Sequence, residues 1–147
     1  MPHVVVSTVI ERTPEEIWAD VRDIGSHVHW MADAEEIRFT SEQREGVGTT
    51  FECDTKVGPL RTTDVMEITA WEEGGRMGVR HSGMVTGVGD FTITAIDDRR
   101  SEFRWEEDLT FPWWLGGRVG QFVARPILAM IWRRNLSRLR ERLETDQ

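Results

Sequence analysis

Thr13-Pro14-Glu15-Glu16-Ile17-Trp18 reads as a helix start. The Thr13 hydroxyl can accept a hydrogen bond from an unpaired backbone N–H of the first turn, Pro14 suits the first helical position, and Glu16 stands three residues after Thr13 to complete a capping box. The preceding stretch from His3 to Arg12 is rich in Val, Ile and Thr, so it reads as a strand. In the following stretch Ile17, Trp18, Val21 and Ile24 give a short helix one apolar side. Gly25 can end that helix, and Ser26 can cap a second short piece running towards Met31.

From Glu35 to Phe111 the apolar pattern has period two, with Ile37 and Phe39 alternating with Glu36, Arg38 and Thr40, and Phe51 and Cys53 with Glu52 and Asp54. Turn residues at Gly46 and Gly48, Gly58-Pro59, Gly74-Gly75 and Asp97 to Arg100 divide the stretch into six strands. Such short connections make sequential strands antiparallel neighbours, in a strongly bent meander closed by the first strand. Beyond Phe111-Pro112-Trp113-Trp114-Leu115-Gly116-Gly117 the period becomes helical and stays so to about Glu144. Val119, Phe122, Val123, Ile127, Met130 and Ile131 form an apolar band that Leu128, Trp132, Leu136, Leu139 and Leu143 continue, so the helix is expected to be substantially buried. Pro126 should kink it or break it in two. The result is an α+β chain of about seven strands, two short helices and one long helix. One helix covers only part of a sheet that size, so the rest of the apolar face should surround a cavity or meet a partner.

The 147 residues suffice for one domain spanning 1–147, burying roughly 70% of its unfolded surface. Cys53 is the only cysteine, which excludes an internal disulfide and a cysteine-rich zinc site and suits a reducing compartment. Val4 to Val6 is too short an apolar run for a signal peptide, and no stretch is long enough to span a bilayer, so the chain reads as cytoplasmic and without stable membrane insertion. A net charge of -8 argues against nucleic acid as a partner. Yet the last helix carries Arg118, Arg125, Arg133, Arg134, Arg138, Arg140 and Arg142 against only Glu141 and Glu144, which fits either a solvated face or docking to an acidic surface.

Candidate chemistry follows from strand parity. Phe103, Trp105, Glu107, Leu109 and Phe111 share one face of the last strand, and Glu107 is the sole charge in that row. Burial would raise the pKa of such a carboxyl towards the range useful for proton transfer, unless a bulge after Trp105 turns it to solvent or it sits at a wet rim. The same count places His81 inside with Met77 and Val79, and Asp64 inside with Leu60, Thr62, Met66 and Ile68. Glu107, His81 and Asp64 are therefore the candidate acid–base residues, a His exchanging protons while a carboxylate orients it.

Candidate ligand contacts are Phe51, Cys53, Met66, Val79, Phe91 and Trp105 on the inner face, Trp30 at the end of the second short helix, and Ile127, Met130 and Ile131 on the long helix. Trp113 and Trp114 belong to a loop that could cover the cavity as a lid, touch a membrane or form a homodimer contact. His27 and His29, two apart on a helix, would not converge on a metal, and no metal or other cofactor is expected. Gly46-Val47-Gly48 and Gly87-Val88-Gly89 lack the strand-to-helix setting of a phosphate loop and read as turn and bulge glycines.

Thr13 to Trp18, Trp30, the Gly46 to Phe51 turn and strand, Phe103-Arg104-Trp105 and Arg133-Arg134-Asn135-Leu136 with Leu139 and Leu143-Glu144 together make the chain resemble the START-like, Bet v 1-like (SRPBCC) superfamily, and within it the bacterial polyketide cyclase/dehydrase group. The resemblance implies a helix-grip fold, in which a curved antiparallel sheet grips the long helix around an apolar cavity. It also implies an apolar small molecule as partner, whether lipid-like, polycyclic or polyketide-like. The protein would carry such a molecule, or would cyclise or dehydrate it with the acid–base residues. A closed core without a cavity would instead indicate an interaction module.

Overall fold

A computed structural model describes residues 3–145. Its elements are β1 (His3–Ile10), α1 (Pro14–Val21), a 3-10 helix (Ile24–His29), β2 (Ala34–Phe39), β3 (Thr50–Val57), β4 (Leu60–Glu72), β5 (Arg76–Ser82), β6 (Thr86–Ala95), β7 (Ser101–Thr110), a 3-10 turn (Trp113–Leu115) and α2 (Gly117–Thr145).

The capping box forms as the sequence requires. The Glu16 N–H donates to Thr13 Oγ1 at 3.2 Å and the Thr13 N–H donates to Glu16 Oε1 at 3.1 Å. Ile17, Trp18 and Val21 are buried beneath α1. The next boundary differs from expectation: α1 ends at Val21, before Gly25, and Ser26 lies inside the 3-10 helix. Its hydroxyl donates to the Asp23 carbonyl at 2.7 Å, so it braces the turn and does not cap it. Thr13→Ala should cost about 1 kcal/mol, read as a lower urea midpoint with an unchanged m-value.

The strands form one antiparallel sheet in the order β1-β7-β6-β5-β4-β3-β2. The six-strand meander is present, and β1 closes it by pairing with β7 from His3 opposite Asp108 to Ile10 opposite Ser101. Register shifts occur between Ala34 and Glu36 and between Ile68 and Ala70, where they add bend and twist. β7 runs without a shift against both neighbours, so its face alternation is intact.

The sheet is filled unevenly. At one end Trp132, Leu136, Leu139 and Leu143 of α2 join Val4, Val6, Ile10 and Phe103 in one core cluster. Each Leu fully buried there contributes about 1.5–3 kcal/mol. Asn135, also fully buried, fixes the helix at this end: its Oδ1 accepts the Ala32 N–H at 3.0 Å and its Nδ2 donates to Asp33 Oδ1 at 2.7 Å.

Of the two outcomes expected at Pro126, the break does not occur, and α2 is one helix from Gly117 to Thr145. The front of α2 departs from expectation in its apolar band, which divides, because Val119, Phe122, Val123, Ile127 and Met130 are solvent-exposed while Trp132, Leu136, Leu139 and Leu143 are buried. Ala124 and Leu128, on the other side of the front half, face the sheet across open space.

Candidate functional site

That open space is a cavity of about 270 Å³ between the concave sheet face, the first 3-10 helix and the front half of α2. Two of its lining residues, Leu60 and Ile127, are also exposed and mark the mouth between the β3–β4 turn and α2. The walls are mainly apolar. Phe51, Cys53, Met66, Val79, Phe91 and Trp105 line them from the strands, as expected from parity, and Ile127 lines the rim. Trp105 stacks on Trp132 with ring centroids 4.7 Å apart and an interplanar angle of 15°, forming one flat side.

Five anticipated contacts lie elsewhere. Trp30 is in the dry core, its ring centroid 5.9 Å from that of Phe91 and 6.2 Å from that of Phe103. Ile131 packs against the core beside the cavity without lining it. Met130, Trp113 and Trp114 point to solvent, Trp113 being 86% exposed, so the tryptophan loop is no lid over this cavity. For Met130 and Ile131 the reason is that helical spacing relates residues of α2 to each other but not to the sheet; Trp30 is taken up by ring packing with Phe91, Phe103 and Trp105, and Trp113 and Trp114 stand exposed in a short 3-10 turn.

Glu107, His81 and Asp64 all line the cavity and are buried, with 5%, 8% and 8% of their surface exposed. His81 Nε2 lies 2.5 Å from Glu107 Oε1. The two residues stand on β5 and β7, so the contact crosses β6, and Gly89 makes the crossing possible. Gly87 is the register partner of His81 on β6, and Gly89 is the partner of Glu107. A Cβ at Gly89 would sit 2.5 Å from Glu107 Cγ, so the glutamate side chain occupies the volume that any other residue would fill. Against the expectation of a turn or bulge, Gly87 and Gly89 lie within β6, and Gly89 is where the sheet leaves room for an approaching side chain.

Burial alone would lower the His81 pKa, but the charge and hydrogen bond of Glu107, with the charge of Asp64, outweigh it and raise the value above 6.5. Asp64 is raised by burial, offset in part by the Thr55 hydroxyl, which donates to its Oδ2 at 2.8 Å, and by the charge of His81. The other oxygen, Oδ1, is buried without a hydrogen-bond partner. Burial pushes the Cys53 thiol up to about 12, so it lines the cavity as a neutral, weakly polar group.

Two further polar groups reach the wall that strand parity does not place there. Asp33 is raised by burial and held by Asn135, whose place among Trp132, Leu136 and Leu139 at helical spacing was the available signal. His27 is lowered by burial and donates from Nε2 to the Val21 carbonyl at 2.8 Å, a structural bond that closes the end of α1. Among the described residues no group of three or more His, Cys, Asp or Glu could hold a metal ion. No helix among them is long and apolar enough to cross a membrane.

A curved antiparallel sheet gripping a long C-terminal helix, with a cavity between them, defines a protein of the helix-grip class. Residues 1–144 match the family described as polyketide cyclase / dehydrase and lipid transport, and the chain belongs to that family. Among solved structures, one similar chain is a conserved protein from Geobacillus kaustophilus, with a TM-score of 0.80 at 13% identity, 96% of this chain and 94% of that one being covered. A protein from Thermus thermophilus gives 0.77 at 17% identity, covering 97% of each chain. The Zhui aromatase/cyclase from Streptomyces sp. R1128 gives 0.74 at 15% identity, over 97% of this chain and 93% of that one. At such identities the likeness is one of fold. No curated protein matches the sequence.

Proposed function

We propose that the protein binds a compact apolar molecule, polycyclic or lipid-like, that carries one hydrogen-bonding group, with its apolar body against the Trp105–Trp132 wall and its polar end at Asp64 and His81. The observation that carries this reading is the Asp64 carboxyl: one oxygen is held by Thr55, while the other is buried at the cavity wall without a partner. An orphaned buried acceptor costs about 1–3 kcal/mol, and a ligand hydroxyl would remove that cost. The cavity volume of about 270 Å³ favours a compact ligand, since ligand pockets run from about 300 to 1,000 Å³.

A matched pair of probes tests this. 1-Naphthol should bind about tenfold or more tightly than naphthalene, the ratio that one useful hydrogen bond of about 1.4 kcal/mol gives. Asp64→Ala should bring the two affinities together. Equal binding of both probes by the wild type would sink the reading.

The His81–Glu107 contact supports a second reading, acid–base catalysis on such a ligand. Glu107 engages Nε2, which leaves Nδ1 as the ring nitrogen able to meet a ligand oxygen, and the raised pKa keeps the ring a proton donor near neutrality. On this reading Glu107→Gln abolishes turnover of a polyketide-like substrate while its affinity stays nearly intact.

A further inference from the structure

We propose that the outer face of α2, together with Trp113 and Trp114, is a docking surface for an anionic lipid bilayer, seated beside the cavity mouth. The proposal goes beyond the ligand reading and does not depend on what the cavity holds.

Val119, Phe122, Val123, Pro126, Ile127 and Met130 recur at helical spacing and form one stripe on the solvent side of the helix. These side chains are openly exposed, Phe122 at 82% and Val119 at 73%. Trp113 and Trp114 extend the apolar surface at the helix entrance. A contiguous patch of this kind marks an interaction site.

Charge identifies the partner. Between Asp108 and Glu141 the chain has no acidic residue, although it carries 26 in all. Within that span Arg118, Arg125, Arg133 and Arg134 are exposed, and among the described residues none of them makes an ion pair. Most arginines elsewhere are compensated, as Arg22 is by Glu45, Arg38 by Asp54, Arg76 by Asp90 and Arg142 by Asp20, whereas Arg44, Arg99 and Arg138 share the lack of an ion pair among the described residues. An isologous contact through this face would set one copy's arginines against its partner's, so a second copy is disfavoured. A convex apolar helix face edged by arginine, with two tryptophans beside it, matches the chemistry of a helix lying in the plane of an anionic bilayer. Ile127 belongs to both the stripe and the cavity rim, so docking brings the mouth to the lipid.

Co-sedimentation of the full chain with vesicles tests the proposal. Phosphatidylcholine vesicles containing about 30 mol% phosphatidylserine should retain the protein at low salt and release much of it at high salt, while pure phosphatidylcholine retains little. Arg133→Gln with Arg134→Gln should weaken the partition severalfold, and Val119→Ser with Phe122→Ser about tenfold or more. All four positions are exposed, so the unfolding midpoint should stay put, and circular dichroism verifies that each variant is folded. Absence of the wild type from the anionic pellet would overturn the proposal, as would binding indifferent to both pairs of substitutions. Retention by polyglutamate but not by vesicles would overturn it in favour of an acidic protein partner, and a concentration-dependent dimer lost in the Val119→Ser, Phe122→Ser variant in favour of a second copy.

Discussion

Glu107→Ala should destabilise the protein by about 1–3 kcal/mol near neutral pH, the range for leaving a buried polar group without its hydrogen-bond partner. Without the carboxylate, His81 keeps its burial and loses the main influence that raises its pKa. It therefore turns neutral in the folded state.

The pH dependence separates this effect from simple loss of packing. In the wild type a His81 pKa above its unfolded value of 6.5 gives stability that is fully present below pH 6.5 and is lost as pH rises through the folded pKa. In Glu107→Ala that alkaline decline should vanish. The other shifted groups near the site act elsewhere: His27, lowered, loses its contribution as pH falls below 6.5, and the raised Asp33 and Asp64 act upward from 3.8. Cys53, raised to about 12, adds a decline of its own only as pH approaches 9 and does so in both proteins, so the difference between their urea midpoints from about pH 6 to 8 reads His81, and an identical decline in both would show that the pair carries no charge. Replacing both partners, Glu107→Leu with His81→Leu, should recover most of the lost stability, since the penalty lies in the unpaired group.

Gly89→Ala is the second large effect. The added methyl would stand 2.5 Å from Glu107 Cγ and 2.6 Å from its Oε1, well inside contact distance. The clash falls partway along the side chain, so rotating the carboxyl group does not relieve it. Glu107 must withdraw from His81, at a cost of about 1–3 kcal/mol for overpacking, and the His81 pKa falls. Titration of the His81 ring by NMR reads that fall directly. In a Glu107→Ala background the obstacle is gone, so the same substitution should cost less by a coupling of about 0.5–3 kcal/mol. Additive costs would mean that Gly89 serves only the backbone of β6.

Much of this architecture is legible in local sequence. Thr13 and Glu16 fix the start of α1 through bonds spanning three residues, and parity places Glu107 inward because β7 has no bulge to reverse it, and Asp64 and His81 inward because the shift in the β4–β5 pairing falls beyond them, between Ile68 and Ala70. Gly89 is legible only once β6 and β7 are in register, because its meaning lies in the glutamate opposite. The direction of the front stripe of α2 is not legible at all from its own spacing. At 3.6 residues per turn it stands about 150° around the helix from the stripe of Trp132, Leu136, Leu139 and Leu143, and only the sheet decides which of the two goes inside.

The run without acids from Asp108 to Glu141 has a consequence at long range. A chain with a net charge of -8 that concentrates uncompensated arginine along one helix is an electric dipole, its positive pole on α2 and the excess negative charge spread over the rest. Near any negatively charged surface such a body feels a torque before it makes contact, and within a Debye length, about 8 Å at physiological salt, it turns helix-first. The acidic remainder is repelled at the same time, so approach in other orientations is suppressed. The distribution of charge thus favours landing on α2, the helix whose Ile127 borders the cavity mouth.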